Sequence, residues 1–226
     1  MLFLVIAMIL IIGGVVFIER GQRRVTVQYA KRVVGRKMYG GTSTFIPLKV
    51  NTGGVIPVIF ASSLLAFPAT IAAALPEGIA QRVTDNLANG MPLYYLLYMG
   101  GIIFFAYFYT AIIFNPDDVA ENMRKYGGFV PGIRPGKRTA EYIDTILTRI
   151  TLVGAIYLAT VAVLPDLMIV GFQVNAIPFI GDSLDAVTPR FITDGLGITF
   201  YFGGTSLLII VGVSMDTVQQ VESQLI

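Results

Sequence analysis

Apolar and polar residues fall along this chain in long blocks rather than in short alternation. Stretches free of Asp, Glu, Lys and Arg occur at about 1–18, 50–76, 86–116, 150–165 and 195–215. A helix rising ~1.5 Å per residue needs about 20 residues to cross a hydrocarbon core of ~30 Å. Four of the five runs reach that length, and TLVGAIYLATVAVLP reaches it if its helix starts before Arg149. One such run would suit the core helix of a soluble protein; five in a chain of 226 residues point to a membrane. The pattern predicts an all-α polytopic membrane protein with five transmembrane helices, at about 1–18, 52–75, 91–114, 148–165 and 196–215. Two extended basic loops, 19–49 and 115–147, lie between them.

The charges orient these spans. Of the 16 Lys and Arg residues, 14 lie in the two connections between spans one and two and between spans three and four, leaving only Arg82 and Arg190 elsewhere. Cations concentrate on the cytoplasmic side of membrane proteins, so both basic loops and the tail MDTVQQVESQLI are expected in the cytoplasm. Met1 already stands inside an apolar run, MLFLVIAMILIIGGVVF, too long for the h-region of an ordinary signal peptide. A fragment or split half of something larger is the expectation, a signal anchor the alternative.

Composition removes much chemistry. The chain is 55% hydrophobic and 13% charged, with a mean hydropathy of +0.74. Cys, His and Trp are absent, which excludes disulfides, the usual zinc and haem ligands and the side chain that titrates nearest neutrality. No cofactor or metal is expected. Within the charge-free runs tyrosine is the only ionisable side chain, which argues against ion-coupled transport. Ser62 and Ser63 could be imagined as an intramembrane nucleophile, but no base at their depth would activate them, and helix packing through small residues is the plainer reading.

The second span, VNTGGVIPVIFASSLLAFPATIAAAL, carries Pro57 and Pro68, each expected to remove a backbone hydrogen bond and kink the helix. With Gly53, Gly54, Ala61, Ser62 and Ser63 it reads as a helix able to hinge, or as an ordinary bundle helix. Gly203, Gly204, Ser206 and Gly212 repeat the pattern in the fifth.

In the first loop, RRVTVQYAKRVV alternates with β-branched residues, which suggests a strand or hairpin turning at Gly35 and at Gly40 and Gly41. Its eight cations suit anionic lipid headgroups, at ~1 kcal/mol each near a membrane surface, or a polyanion such as ribosomal RNA. The second loop opens on FNPDDVAENMRKYGG: Asn115 as N-cap, Pro116 at the first helical position, Asp117 and Asp118 in the first turn, Arg124 and Lys125 in the last, Gly127 as stop. A second helix should start near Thr139. Between them FVPGIRPGKRT forms the stiffened tip of a helical hairpin, with Arg134 between two X-Pro-Gly turns.

These stretches closely resemble the C-terminal half of the SecY family of protein-conducting channels. The resemblance is carried by ERGQRR at 19–24, YAKR at 29–32, PLKVN at 47–51, GVIPVIFASS at 54–63, FNP at 114–116, FVPGIRPG at 129–136 and FGGTSLLI at 202–209, in the family's order over virtually the whole chain. It implies half of a pseudo-symmetric channel in the bacterial cytoplasmic membrane, contributing helices six to ten and catalysing no covalent reaction. Ile59 and Ile209 match positions of the apolar pore ring. Spans two and three match one wall of the lateral gate, which gives the Pro57 and Pro68 helix a role. Arg24, Lys31, Arg36 and Lys37 match cations that dock the ribosome and the SecA motor, and Arg134 matches the arginine at the second loop's tip. The implied partners are SecE and SecG type subunits, SecA, the ribosome, signal peptides and unfolded polypeptide, the missing N-terminal half, and anionic lipids. The outward connection after Pro165, with IPFIGDSLDAVTPRFITDGLG, is longer than the family's usual one and has no assigned role. A secondary transporter or lipid-handling protein would want intramembrane charge, and a membrane scaffold for a ribosome would not explain the glycine-rich spans.

Overall fold

The computed structural model describes residues 2–29, 32–34, 37–39, 43–72, 74, 76–173, 193 and 204–225. In chain order the elements are α1 (Leu2–Glu19), β1 (Gln22–Tyr29), β2 (Arg32–Val34), β3 (Lys37–Tyr39), β4 (Ser43–Lys49), α2 (Ile56–Ala72), α3 (Glu77–Asn86), α4 (Pro92–Ile113), α5 (Pro116–Lys125), β5 (Gly128–Phe129), α6 (Lys137–Val170) and α7 (Gly204–Leu225). The fold is mostly helical, with two small sheets that an all-α label leaves out, a three-stranded one ordered β4-β1-β5 and a two-stranded one of β2 and β3. Two helical stretches among the described residues are long and apolar enough to cross a membrane, Pro92–Lys125 and Lys137–Val170. Ile9–Glu19 and Ile56–Ala72 are apolar but shorter. Nearly all of the connection that the sequence places outward after Pro165, residues 174–192 and 194–203, lies outside the described residues.

Two hydrophobic cores form. The larger gathers α1, α2, α4, α6 and α7 around Val15, Val58, Tyr98, Ile102, Leu158, Ala159 and Leu208. Small residues let the helices approach: a Cβ on Gly101 of α4 would stand 3.3 Å from that of Ala61 on α2, and the Phe60 and Phe105 rings stack beside them at 5.5 Å. Hydrogen bonds fix the end remote from the basic loops. The hydroxyls of Tyr98 on α4 and Thr205 on α7 lie 3.1 Å apart, Tyr95 donates to the Gly171 carbonyl, and Gln173 N–H donates to Gly90 at 2.9 Å.

The second core lies beneath the sheet. β1 and β4 pair antiparallel from Gln22 opposite Lys49 to Gln28 opposite Ser43. Strand alternation turns Val25 and Val27 inward, where Leu48, Met123, Val130 and Ile143 complete the cluster. β5 adds a third strand on the other edge of β1, with Gln28 opposite Phe129 and Tyr29 opposite Gly128. The two loops thereby become one body, a pairing absent from the sequence reading.

α6 belongs to both cores. Its 34 residues amount to ~50 Å at the usual rise, and Ile143 packs under the sheet while Leu158 and Ala159 pack among the helices. Where the cores meet, Gly154 of α6 abuts the carbonyl of Val50, in the link from β4 to α2, so closely that a Cβ there would overlap it. Gly154→Ala is therefore expected to destabilise the fold by ~1–3 kcal/mol, because backbone cannot yield as a side-chain tip can. Gly78 on α3 has open space about it, and Gly78→Ala should be neutral or slightly stabilising. Thermal unfolding of the two variants in detergent, compared with the parent, distinguishes them.

Candidate functional site

The link from Val50 to Val55 is the most constrained loop among the described residues. Val50 N–H donates to the Gly21 carbonyl at 3.0 Å. Asn51, almost fully buried, donates through Nδ2 to Glu19 Oε1 at 2.6 Å and to the Gly54 carbonyl at 3.1 Å. Thr52 Oγ1 donates to the Lys49 carbonyl at 3.1 Å, and Gly54 takes a φ of 58°, which a residue with a Cβ rarely adopts. Neither Asn51 nor Glu19 stood out as a site residue in the sequence. The available signal was a lone amide followed by two glycines, set between an apolar strand and an apolar helix.

Pro57 departs from its expected role. α2 begins at Ile56, so Pro57 lies in the first turn, where its missing N–H costs no intrahelical bond; it starts the helix rather than kinking it. Pro68 is interior, as expected. Ser62 and Ser63 hydroxyls both donate back to the Ile59 carbonyl, at 2.9 and 2.8 Å, which accounts for them as helix residues and leaves no poised nucleophile.

Ile59 and Ile209, on different helices and 150 positions apart in the sequence, line one cavity of about 340 Å³ with Asn51, Val55, Tyr109 and Gly212. Both side chains are partly exposed there, Ile59 at 42% and Ile209 at 37%. From Ile59 the open face of α2 continues through Phe60, Leu64, Phe67 and Ile71, at spacings that keep one side of a helix apolar. α4 adds exposed Leu93, Leu96, Phe104 and Phe108. Exposed apolar side chains also stud α1, α6 and α7, among them Leu10, Phe17, Val153 and Val213; the α2 and α4 face differs in running on from the cavity that Ile59 lines.

The second candidate surface is the outer side of the fused loops. Arg20, Arg23 and Arg24 around β1, and Arg124, Lys125, Arg134, Lys137 and Arg138 around the hairpin, are all exposed. On β1, Arg24 alternates to the face opposite Val25 and Val27. Of the matched cations, Lys31 and Arg36 lie outside the described residues, and Lys37 is described only as backbone of β3. Lys125 and Glu121 pair at 3.1 Å on the open surface, a contact worth little when so exposed.

The tip is built as the sequence predicts. Asn115 caps α5, its Oδ1 accepting from Asp117 N–H at 3.1 Å, with Asp117 and Asp118 in the first turn and Arg124 and Lys125 in the last. Gly127, just past the end of α5, and Gly132 and Gly136, which each follow a proline, take φ of 70°, 83° and 108°, a region that glycine enters without steric cost. α6 starts at Lys137, two residues before Thr139, because Gly136 supplies the carbonyl for both Thr139 and Ala140 N–H. Buried Thr139 then ties the tip down, donating through Oγ1 to the Arg134 carbonyl at 3.0 Å. The Arg134 side chain stays outside.

Comparison with known proteins accords with this arrangement. The profile of the SecY family matches residues 1–218. The chain is 51% identical over 220 residues to a protein translocase subunit SecY of Streptomyces galbus, covering 96% of this chain and 45% of that protein. It is 48% identical over 232 residues to the corresponding Mycobacterium leprae protein, at 97% and 48% coverage. Among solved structures it resembles one described as the structure of a protein conducting channel, with TM-score 0.57, 17% identity and coverage of 98% of this chain and 49% of that one. A SecY structure concerned with the plug domain and the closed channel gives 0.58, 16%, 98% and 49%. The chain thus spans about half the length of the relatives it matches.

Loss of the Thr139 hydroxyl is expected to free the tip. Thr139→Val keeps the volume but orphans the Arg134 carbonyl, at a cost of ~1 kcal/mol, and amide exchange over residues 130–138 should accelerate while that of α4 does not. Thr139→Ser should restore the slower exchange.

Proposed function

Since this chain belongs to the SecY family, we propose that it forms the second half of a membrane channel through which unfolded polypeptides cross or enter the bacterial cytoplasmic membrane. The observation that carries this reading is the convergence of Ile59 and Ile209 on one cavity, beside an apolar face of α2 and α4 that this chain leaves open. Five helices, α1, α2, α4, α6 and α7, span the membrane at about the positions the apolar runs predict. The sheet, the hairpin and the end of α7 then face the cytoplasm, where their cations satisfy the charge asymmetry of membrane proteins. The missing first half, with its own helices, closes the pore against the open face, and SecE and SecG type subunits brace the assembly.

Ile59 and Ile209 supply this half's share of a ring of aliphatic side chains. Such a ring seals by excluding water from a narrow apolar constriction, and yields around a passing chain because it makes no directional bonds. α2 and α4 form one wall of a lateral opening, and signal sequences leave through it by exchanging one apolar surface for another. Pro68, interior to α2, loosens the helix ladder at the point where bending helps.

Arg24, Lys31, Arg36, Lys37 and Arg134 serve the cytoplasmic partners. The rigid tip presents the Arg134 guanidinium at low entropic cost to carboxylates on a motor such as SecA or to ribosomal phosphates. The remaining cations supply the long-range attraction to ribosomal RNA and to anionic lipid. The chain catalyses no covalent step, and the energy comes from those partners.

Two outcomes are expected in the complete channel. Arg134→Glu should abolish SecA-driven export into inverted membrane vesicles while the subunit still inserts and assembles; normal export by that variant would sink the docking assignment. Replacing Ile59 or Ile209 with Asn should relax the closed state, so that a secreted reporter with a defective signal sequence is exported. Unchanged rejection of that reporter would remove both residues from the ring.

A further inference from the structure

α7 carries a glycine in mid-helix, at a cost of ~1 kcal/mol relative to alanine, and the structure shows what stands opposite. A Cβ on Gly212 would lie 2.6 Å from Cγ2 of Val55. Val55 is the last residue of the constrained link and the start of α2's hydrogen bonding: its carbonyl accepts from Val58 N–H at 3.1 Å and Ile59 N–H at 3.2 Å. Ile59 therefore stands one helical turn beyond Val55, and Ile209 one turn before Gly212, each pair on one side of its helix. All four line the same cavity.

We propose that the Val55–Gly212 contact is a spacer that sets the gap between Ile59 and Ile209, making Val55 and Gly212 positioning residues of the constriction. The inference rests on the ring reading given above. Val55 cannot easily retreat, because the segment behind it is pinned on three sides. Asn51 is bonded to Glu19 and to the Gly54 carbonyl, Val50 N–H is bonded to Gly21, and the Val50 carbonyl backs onto Gly154. A methyl group at 212 must gain about 1 Å of clearance to reach ordinary van der Waals separation; branched at Cβ, Val55 has a stiff χ1 and gives little by rotation, so the free direction is apart, between α2 and α7. Helices transmit such a shift over one turn with little loss, so Ile59 and Ile209 separate by a similar amount. Without a Cβ at 212 the two helices close until the valine itself is the stop.

The test uses the complete channel in membranes, with Ile59→Cys and Ile209→Cys introduced together and bridged by thiol reagents of graded length. The natural absence of cysteine from this chain keeps the pair the only thiols it offers. Gly212→Ala is expected to lower the yield with the shortest reagent severalfold while preserving it with a longer one. Adding Val55→Ala, which removes the opposing methyl groups, is expected to restore the short-reagent yield. An unchanged profile in Gly212→Ala, or a loss that Val55→Ala leaves uncorrected, would overturn the spacer. Should Gly212→Ala not accumulate, Val55→Ala alone is expected to raise the short-reagent yield, and no rise would equally overturn it. A second readout separates the spacer from the ring. In channels retaining both isoleucines, Gly212→Ala should export the reporter with a defective signal sequence, and Val55→Ala should suppress that export. Shifted crosslinking with unchanged signal rejection would uphold the spacer and overturn the ring.

Discussion

The contact between Gly154 and the Val50 carbonyl is the constraint on which the rest of the molecule hangs. α6 serves as the common post of both cores, and every other element must be positioned relative to it. The chain leaves the sheet along β4 and must enter α2 within the few residues from Val50 to Val55, which gives no slack to absorb a misplacement. Abutting that link directly onto the α6 backbone registers sheet and helices together. A glycine is required because the approach is of backbone to backbone, which leaves no room for a Cβ and no rotamer that would relieve the overlap. Asn51, by bonding Glu19 at the end of α1, joins a third element to the same point.

From this follows a division of labour that neither core could supply alone. The helical core is closed by small residues and aromatic pairs, interactions that, in the proposed membrane setting, hold shape where water provides no hydrophobic drive between helices. The core beneath the sheet, on the same reading, is an ordinary aqueous one, in which Val25, Val27, Leu48, Met123, Val130 and Ile143 exclude water. Charged residues can therefore cover its outer face without weakening it, and the basic surface becomes a firm platform rather than a pair of loose loops. In the proposed reading, that firmness lets a docked motor or ribosome push against the channel rather than merely adhere to it.

Local rules of capping, turn geometry and periodicity made α5, the hairpin tip and the apolar runs legible, because each is decided within a few residues of its own position. Asn115, Pro116, Asp117, Asp118, Gly127 and Arg134 all stand where the sequence placed them. The pairing of β5 with β1 was not legible, since a strand of two residues has no periodicity to read and its partner lies about a hundred positions away. Pro57 was misjudged for a related reason. Whether a proline kinks a helix or begins one depends on where the helix starts, and α2 starts at Ile56, one residue before Pro57. Ile59 and Ile209 were singled out by resemblance, and only the fold brings them to one cavity.

The proposed pore also has a physical logic. A pore that admits many polypeptides cannot recognise them by fixed hydrogen bonds, because a donor left unmet by one sequence would cost more than the bond gained from another. Aliphatic side chains avoid that penalty. Their weakness is that they set no distance of their own: two isoleucines attract over a broad range of separations, and a seal needs one. The distance must then come from backbone, which is stiff, and glycine positions are where backbones or helices are brought to a defined approach. That the glycines at 154 and 212 both face the Val50–Val55 link, one from α6 and one from α7, is the arrangement such a requirement predicts. On the proposed reading, selectivity is thus carried less by the residues that would touch a passing chain than by the tight joint one helical turn below them.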